Sequence, residues 1–99
     1  MNSYPHIEVN PEICTGQPHI RDTRITVSLI ACEVESLRMS PDEVIAAHPH
    51  LSLAQVHAAL AYFYDHRDEI EAAMRDTDEI ETSLRARFPA RIKELLALR

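Results

Sequence analysis

The chain has 99 residues, 45% of them apolar and 26% charged, with six prolines, one glycine and a net charge of −6. That describes one small folded domain, too short for a barrel of about 250 residues and lacking the run of roughly 20 apolar residues that spans a membrane. The acidic balance argues against coating nucleic acid by bulk electrostatics, which needs clustered Lys and Arg.

The first six residues show neither a basic nor an apolar signal region, so a cytoplasmic location is expected, with Cys14 and Cys32 as thiols. His6-Ile7-Glu8-Val9 alternates polar and apolar and reads as a short strand. Asn10-Pro11 favours a turn, and Thr15-Gly16-Gln17-Pro18 a second one, with Gly16 where positive φ is cheap. Ile20 to Val27 is rich in β-branched residues and suits an extended segment.

Three helices are then expected. Thr26 or Ser28 caps the first, which runs to about Leu37. Ser40-Pro41-Asp42-Glu43 starts the second, with a capping serine, proline at the first helical position and a reciprocal glutamate. It ends near Ala47, because His48 precedes Pro49. Ser52 caps the third, whose core face reads as Leu53, Val56, His57, Leu60, Phe63 and Tyr64. This helix runs on past His66, with Asp76-Thr77-Asp78 as the expected break. A last helix begins near Pro89. The apolar spacing of Ile70, Met74, Ile80, Leu84 and Phe88 continues beyond the three-helix body. The expected division is 1–75 for the body and 76–99 for a C-terminal helical segment. Charge divides there too: acids crowd Asp68 to Glu81, and bases crowd Arg85 to Arg99.

Asn10-Pro11-Glu12-Ile13-Cys14-Thr15-Gly16-Gln17-Pro18, followed by Ile20-Arg21-Asp22-Thr23-Arg24-Ile25, resembles the opening of the family called domain of unknown function 433. Ser40-Pro41-Asp42-Glu43-Val44-Ile45 resembles its second helix. Pro49-His50-Leu51-Ser52 resembles its turn, and Val56-His57-Ala58-Ala59-Leu60-Ala61-Tyr62 its third helix. The likeness spans about residues 7 to 66. Asp22 stands where the family has glycine, which makes a positive φ costlier there, though aspartate tolerates it better than most residues. The resemblance implies a mostly α fold: a three-helix homeodomain-like helix-turn-helix bundle with a short N-terminal β-arm and a C-terminal helical extension. It also implies an antitoxin of the VapB kind. Such a protein silences a PIN-like ribonuclease toxin encoded by the neighbouring gene and represses the shared operon at its operator DNA.

On that reading Arg21, Arg24 and Arg38 supply the positive charge toward DNA, doubled in a homodimer, and Gln55 is placed to read an adenine edge. Gln55 reads more simply as a solvated helix residue, and Arg24 equally as a structural partner of a carboxylate or carbonyl. In the tail, Leu84, Phe88, Ile92 and Leu95 are apolar anchors, and Arg85, Arg87 and Arg91 suit the acidic metal site of such a toxin. Two short helices meeting near Phe88 are expected, since proline suits a helix start. The same tail reads equally as a helix completing a homodimer. In a monomer the N-terminal arm would be an open strand edge, which a second chain removes.

Six histidines raise a metal hypothesis, but His48-Pro49-His50 lacks a third ligand nearby, and His57 reads as a core residue. Cys32 reads as a packed apolar group. Asp65, Asp68 and Glu69 share an outward face and read as solvated charge. No catalytic residue, metal site or cofactor is expected. The rival class is a protein-interaction or dimerisation module that binds no DNA, favoured by the net charge and by a third helix without Lys or Arg.

Overall fold

The computed structural model describes residues 4–75 and 85–97. Strand β1 (Ile7–Glu8) pairs antiparallel with β2 (His19–Ile20), setting Ile7 opposite Ile20 and Glu8 opposite His19. The N-terminal arm is thus paired within its own chain, and Ile7 is fully buried. The expected open edge is covered by β2 on one side.

Between the strands, Cys14–Gly16 forms one tight turn in which all three residues take positive φ: 53° for Cys14, 53° for Thr15 and 83° for Gly16. Gly16 adopts this freely, whereas a β-branched threonine rarely does. After β2, residues 21–24 close a compact loop. The Ile20 amide donates to the Ile25 carbonyl (2.9 Å) and the Thr23 amide to the Ile20 carbonyl (3.1 Å). Asp22 has φ 65°, so the position expected to need glycine does bend the left-handed way.

Helix α1 (Val27–Ala31) starts at Thr26, whose hydroxyl accepts from the Leu29 amide. It then widens into a π-helical stretch, Cys32–Ser36, closed by the Leu37 amide donating five residues back to the Cys32 carbonyl (3.1 Å). Helix α2 (Pro41–Ala47) begins with the expected reciprocal cap: Glu43 N–H to Ser40 Oγ, and Ser40 N–H to Glu43 Oε1. It ends at His48, φ −128° and ψ 73°, as the following proline requires. Helix α3 (Leu53–Asp65) has its own reciprocal cap, Ser52 with Gln55.

Helix α3 does not run on as expected. It breaks at His66 (φ −128°, ψ 39°), and α4 (Arg67–Arg75) follows. The His66 ring folds back, with Nδ1 3.0 Å from the Tyr62 carbonyl and the ring stacked on Tyr62 at 4.1 Å. A side chain engaging the helix's own carbonyl row is a recognised cause of a kink. Residues 85–87 are helical, Phe88 is not, and α5 (Pro89–Ala97) begins at the proline. Two helical segments therefore do meet at Phe88. Leu84 and the break expected at Asp76-Thr77-Asp78 lie outside the described residues.

The fold is mostly helical, with one short two-stranded antiparallel sheet. Helix α1 packs across α3 and α4, α2 packs on α3, and β1 lies against α3. Ile7, Ile20, Val27, Ile30, Val44, Val56, Phe63 and Ile70 fill the centre. The buried face of α3 is rotated from the expected one. Val56, Leu60 and Phe63 are buried as expected, but Leu53 is 46% and Tyr64 52% exposed, and His57 is exposed. Ala59 and Tyr62 are buried in their place. A small Ala59 lets a neighbouring helix approach closely, and Tyr62 packs edge-on to Tyr4 at 5.0 Å. No helix among the described residues is long and apolar enough to cross a membrane.

Candidate functional site

Three of the expected DNA-facing residues are exposed arginines on tight backbone turns. Arg21 and Arg24 flank the 21–24 loop, and Arg38 sits at φ 57° between the π-helical stretch and α2. None of the three guanidinium groups makes an ion pair among the described residues, although Arg67 and Arg91 do. Arg24 therefore has no carboxylate partner among the described residues. Its carbonyl instead accepts from the Cys14 thiol at 3.6 Å.

Gln55 is placed differently. Its Oε1 accepts from the Ser52 amide at 2.8 Å, so the acceptor that would pair with adenine is engaged in capping α3.

The tail residues lie against the body. Phe88, Ile92 and Leu95 are partly buried on the core. Arg91 Nη2 donates to Glu43 Oε2 at 2.6 Å and to the Arg38 carbonyl at 3.3 Å. This joins an expected DNA residue to an expected toxin residue. A groove of about 410 Å³ between α2 and α5 is lined by Met39, Glu43, Ala46, Ala47, Phe88, Arg91 and Glu94. Arg85 and Ile92 border a second hollow of about 280 Å³ with Pro89 and Lys93, while Arg87 is exposed. The Glu43 carboxyl is held below the usual glutamate range, first by the Ser40 amide and then by the Arg91 guanidinium.

The sequence reading missed two buried polar pairs. Glu33, fully buried in the π-helical stretch, faces His48, whose Nε2 lies 2.8 and 3.0 Å from its two oxygens. His19, also fully buried, is held by Glu8 at 3.2 Å. Nothing in the periodicity marks these residues, because an acid between Cys32 and Val34 and a histidine before proline both read as surface. A third cluster is exposed. Arg67 pairs with Glu71 at 3.0 Å and Glu35 at 3.7 Å and lies over the Phe63 ring, while the Tyr64 hydroxyl donates to Glu35 at 3.2 Å.

Asp65, Asp68 and Glu69 are exposed as expected, and Asp65 accepts from the Tyr4 hydroxyl. That hydrogen bond is the main reason the Tyr4 phenol is raised above its ordinary value. Cys32 is buried as expected, and desolvation pushes its thiol up to about 11. Cys14 is partly exposed. Among the described residues no group of three or more His, Cys, Asp or Glu is arranged to hold a metal ion.

No curated protein matches the chain. Among solved structures it is similar to the crystal structure of a DUF433 member protein from Anabaena variabilis ATCC 29413. The two share 27% identity and a TM-score of 0.67, over 72% of this chain and 69% of that one. The sequence profile described as protein of unknown function (DUF433) matches residues 7–63, more than half of the length, with both strands, α1, α2 and most of α3 inside it. The chain belongs to the DUF433 family.

Proposed function

We propose that the protein is an antitoxin of a type II toxin–antitoxin system. It binds and neutralises a PIN-like ribonuclease encoded by the neighbouring gene, and as a homodimer in the cytoplasm it represses the shared operon. On this reading α1, α2 and α3 form a homeodomain-like helix-turn-helix, and the tail around α5 carries the toxin contacts. The carrying observation is the set of exposed arginines, Arg21, Arg24 and Arg38, which form no ion pair among the described residues of an acidic chain where Arg67 and Arg91 find carboxylates. Unpaired guanidinium groups on tight turns suit phosphate contacts, which position a protein on DNA. The DNA contact then rests on these turns, because Gln55 is engaged in the α3 cap. Arg91, held by one exposed carboxylate and the Arg38 carbonyl, can exchange these partners for acidic groups of a toxin.

A second reading, a protein-interaction module without DNA binding, is favoured by one observation. The exposed positions of α3 within 53–64 carry no Lys or Arg. Gel shift with the chain's own upstream region across a salt series separates the two. The repressor reading expects sequence preference and a steep salt slope, and the absence of any shift leaves the interaction module. Co-purification with the neighbouring gene product, and rescue of growth when both are expressed, test the antitoxin activity itself.

A further inference from the structure

The reciprocal caps of α2 and α3 differ in the residue that closes them. Each needs an acceptor at the third helical position, and α3 meets that need with a neutral amide: Gln55 Oε1 takes the Ser52 amide at 2.8 Å. Glu43 Oε1 does the same for the Ser40 amide at 3.0 Å. The charge and the second oxygen of Glu43 are surplus to capping. They are used on the tail. Glu43 Oε2 accepts from Arg91 Nη2 at 2.6 Å, and the same nitrogen donates to the Arg38 carbonyl at 3.3 Å. One guanidinium thus ties α5 both to the cap of α2 and to the turn before it.

The tail is otherwise lightly held. No described side chain from 85 to 97 is buried. Phe88, Ile92 and Leu95 pack on the core only in part, and about 410 Å³ stays open between α2 and α5. Segments with few buried contacts open at lower cost than the body they rest on. The Arg38 turn, by contrast, is gripped from two sides. The Met39 amide donates to the Glu33 carbonyl at 3.0 Å, and Arg91 takes the Arg38 carbonyl. A φ of 57° is a costly angle for an arginine, so losing one grip favours relaxation of the turn.

We propose that α5 is a releasable strap: Glu43 latches it through Arg91, the seated strap locks the Arg38 turn, and an acidic partner that takes Arg91 frees both. An ion pair between partly exposed groups is weak enough for such an exchange. Linkage makes the coupling reciprocal, so a ligand that prefers the locked turn also strengthens the seat of α5. The device belongs to the chain alone and does not rest on the antitoxin reading.

Native-state hydrogen exchange of the full chain, resolved by residue with NMR, tests it. Glu43→Gln keeps the cap, as Gln55 does in α3, and removes the latch. It should speed exchange through α5 by roughly threefold and leave the buried part of α3 unmoved. Arg91→Ala should do the same and also speed exchange of the Met39 amide. Arg91→Glu should release the strap further, and adding Glu43→Lys should restore protection, which a mere loss of helicity in α5 would not allow. Poly-L-glutamate, the probe for an acidic partner, should speed Met39 exchange in the parent chain and not in Arg91→Ala. Exchange in α5 that neither Glu43→Gln nor Arg91→Ala changes overturns the latch. A Met39 amide unmoved by Arg91→Ala overturns the lock on the turn, and one unmoved by poly-L-glutamate in the parent chain overturns the release.

Discussion

His48 and Glu33 meet inside the protein, fifteen residues apart in sequence, with His48 Nε2 2.8 Å from Glu33 Oε2 and both side chains almost wholly shut off from water. The contact ties the π-helical stretch after α1 to the turn that ends α2. In that stretch the Leu37 amide reaches back five residues, to Cys32, where an α-helix reaches back four, and such bulges are frequent at functional sites. Removing one partner of a buried pair leaves the other without compensation, which typically costs roughly 3–5 kcal/mol. Glu33→Ala should therefore destabilise the fold by about that amount in urea unfolding. Glu33→Gln keeps an acceptor for the imidazole and should cost clearly less. Equal losses for the two variants would mean that packing, not the polar contact, is what matters.

The exposed arginines give a prediction on affinity with no change in stability. Arg21→Ala, Arg24→Ala and Arg38→Ala should each leave the melting temperature within about 4 °C of the parent, since surface changes stay near 0.5 kcal/mol. Each should weaken operator binding and lower the slope of log K against log salt by about 0.9 for every phosphate that is no longer neutralised. An unchanged slope in all three would remove these turns from the DNA contact.

Acid should loosen the seat of α5. The Glu43 carboxyl is depressed in the folded chain, first by the Ser40 amide and then by Arg91. A depressed carboxyl stabilises the fold above its unfolded pKa, and that contribution is lost as pH falls through the folded value. The melting temperature should thus fall as pH drops below about 4.3, the ordinary glutamate value. Arg91→Ala should shrink this pH dependence without abolishing it, because the amide of Ser40 remains. Thermal melts between neutral pH and about pH 3, beyond the usual carboxylate range, measure both.

The two thiols should separate cleanly. Burial raises Cys32 to about 11, whereas Cys14 is partly exposed. The thiolate is the reactive form, so native protein treated with iodoacetamide near the ordinary thiol value of about 8.5 should be alkylated at Cys14 and spared at Cys32. Both should react in denaturant. Mass spectrometry of the peptides reads the result, and early labelling of Cys32 in native protein would contradict the buried placement.

Much of the local structure was legible in the residues. Ser40-Pro41-Asp42-Glu43 and Ser52 announced two helix starts because an N-cap is a contact within four residues, and both caps form. His48-Pro49 announced the end of α2, and Gly16 and Asp22 announced left-handed turns, because φ/ψ limits act on one residue at a time. The family likeness was equally readable, since it rests on the same short motifs, and the DUF433 match covers them.

What the chain does with its faces was not legible in this way. Counting large apolar side chains put Leu53, His57 and Tyr64 in the core. The packing of α1 and Tyr4 instead buried Ala59 and Tyr62, a choice made by partners distant in sequence. The break at His66, the engagement of Gln55 in a cap, and the Arg91–Glu43 contact across 48 residues depend on where whole helices come to rest. Helix starts and stops are readable from the residues alone wherever a cap or a proline sits, because those forces act within a few residues. Which side of each helix meets water and which acid each base finds waits on packing, because burial and ion pairing depend on neighbours that the linear order does not name.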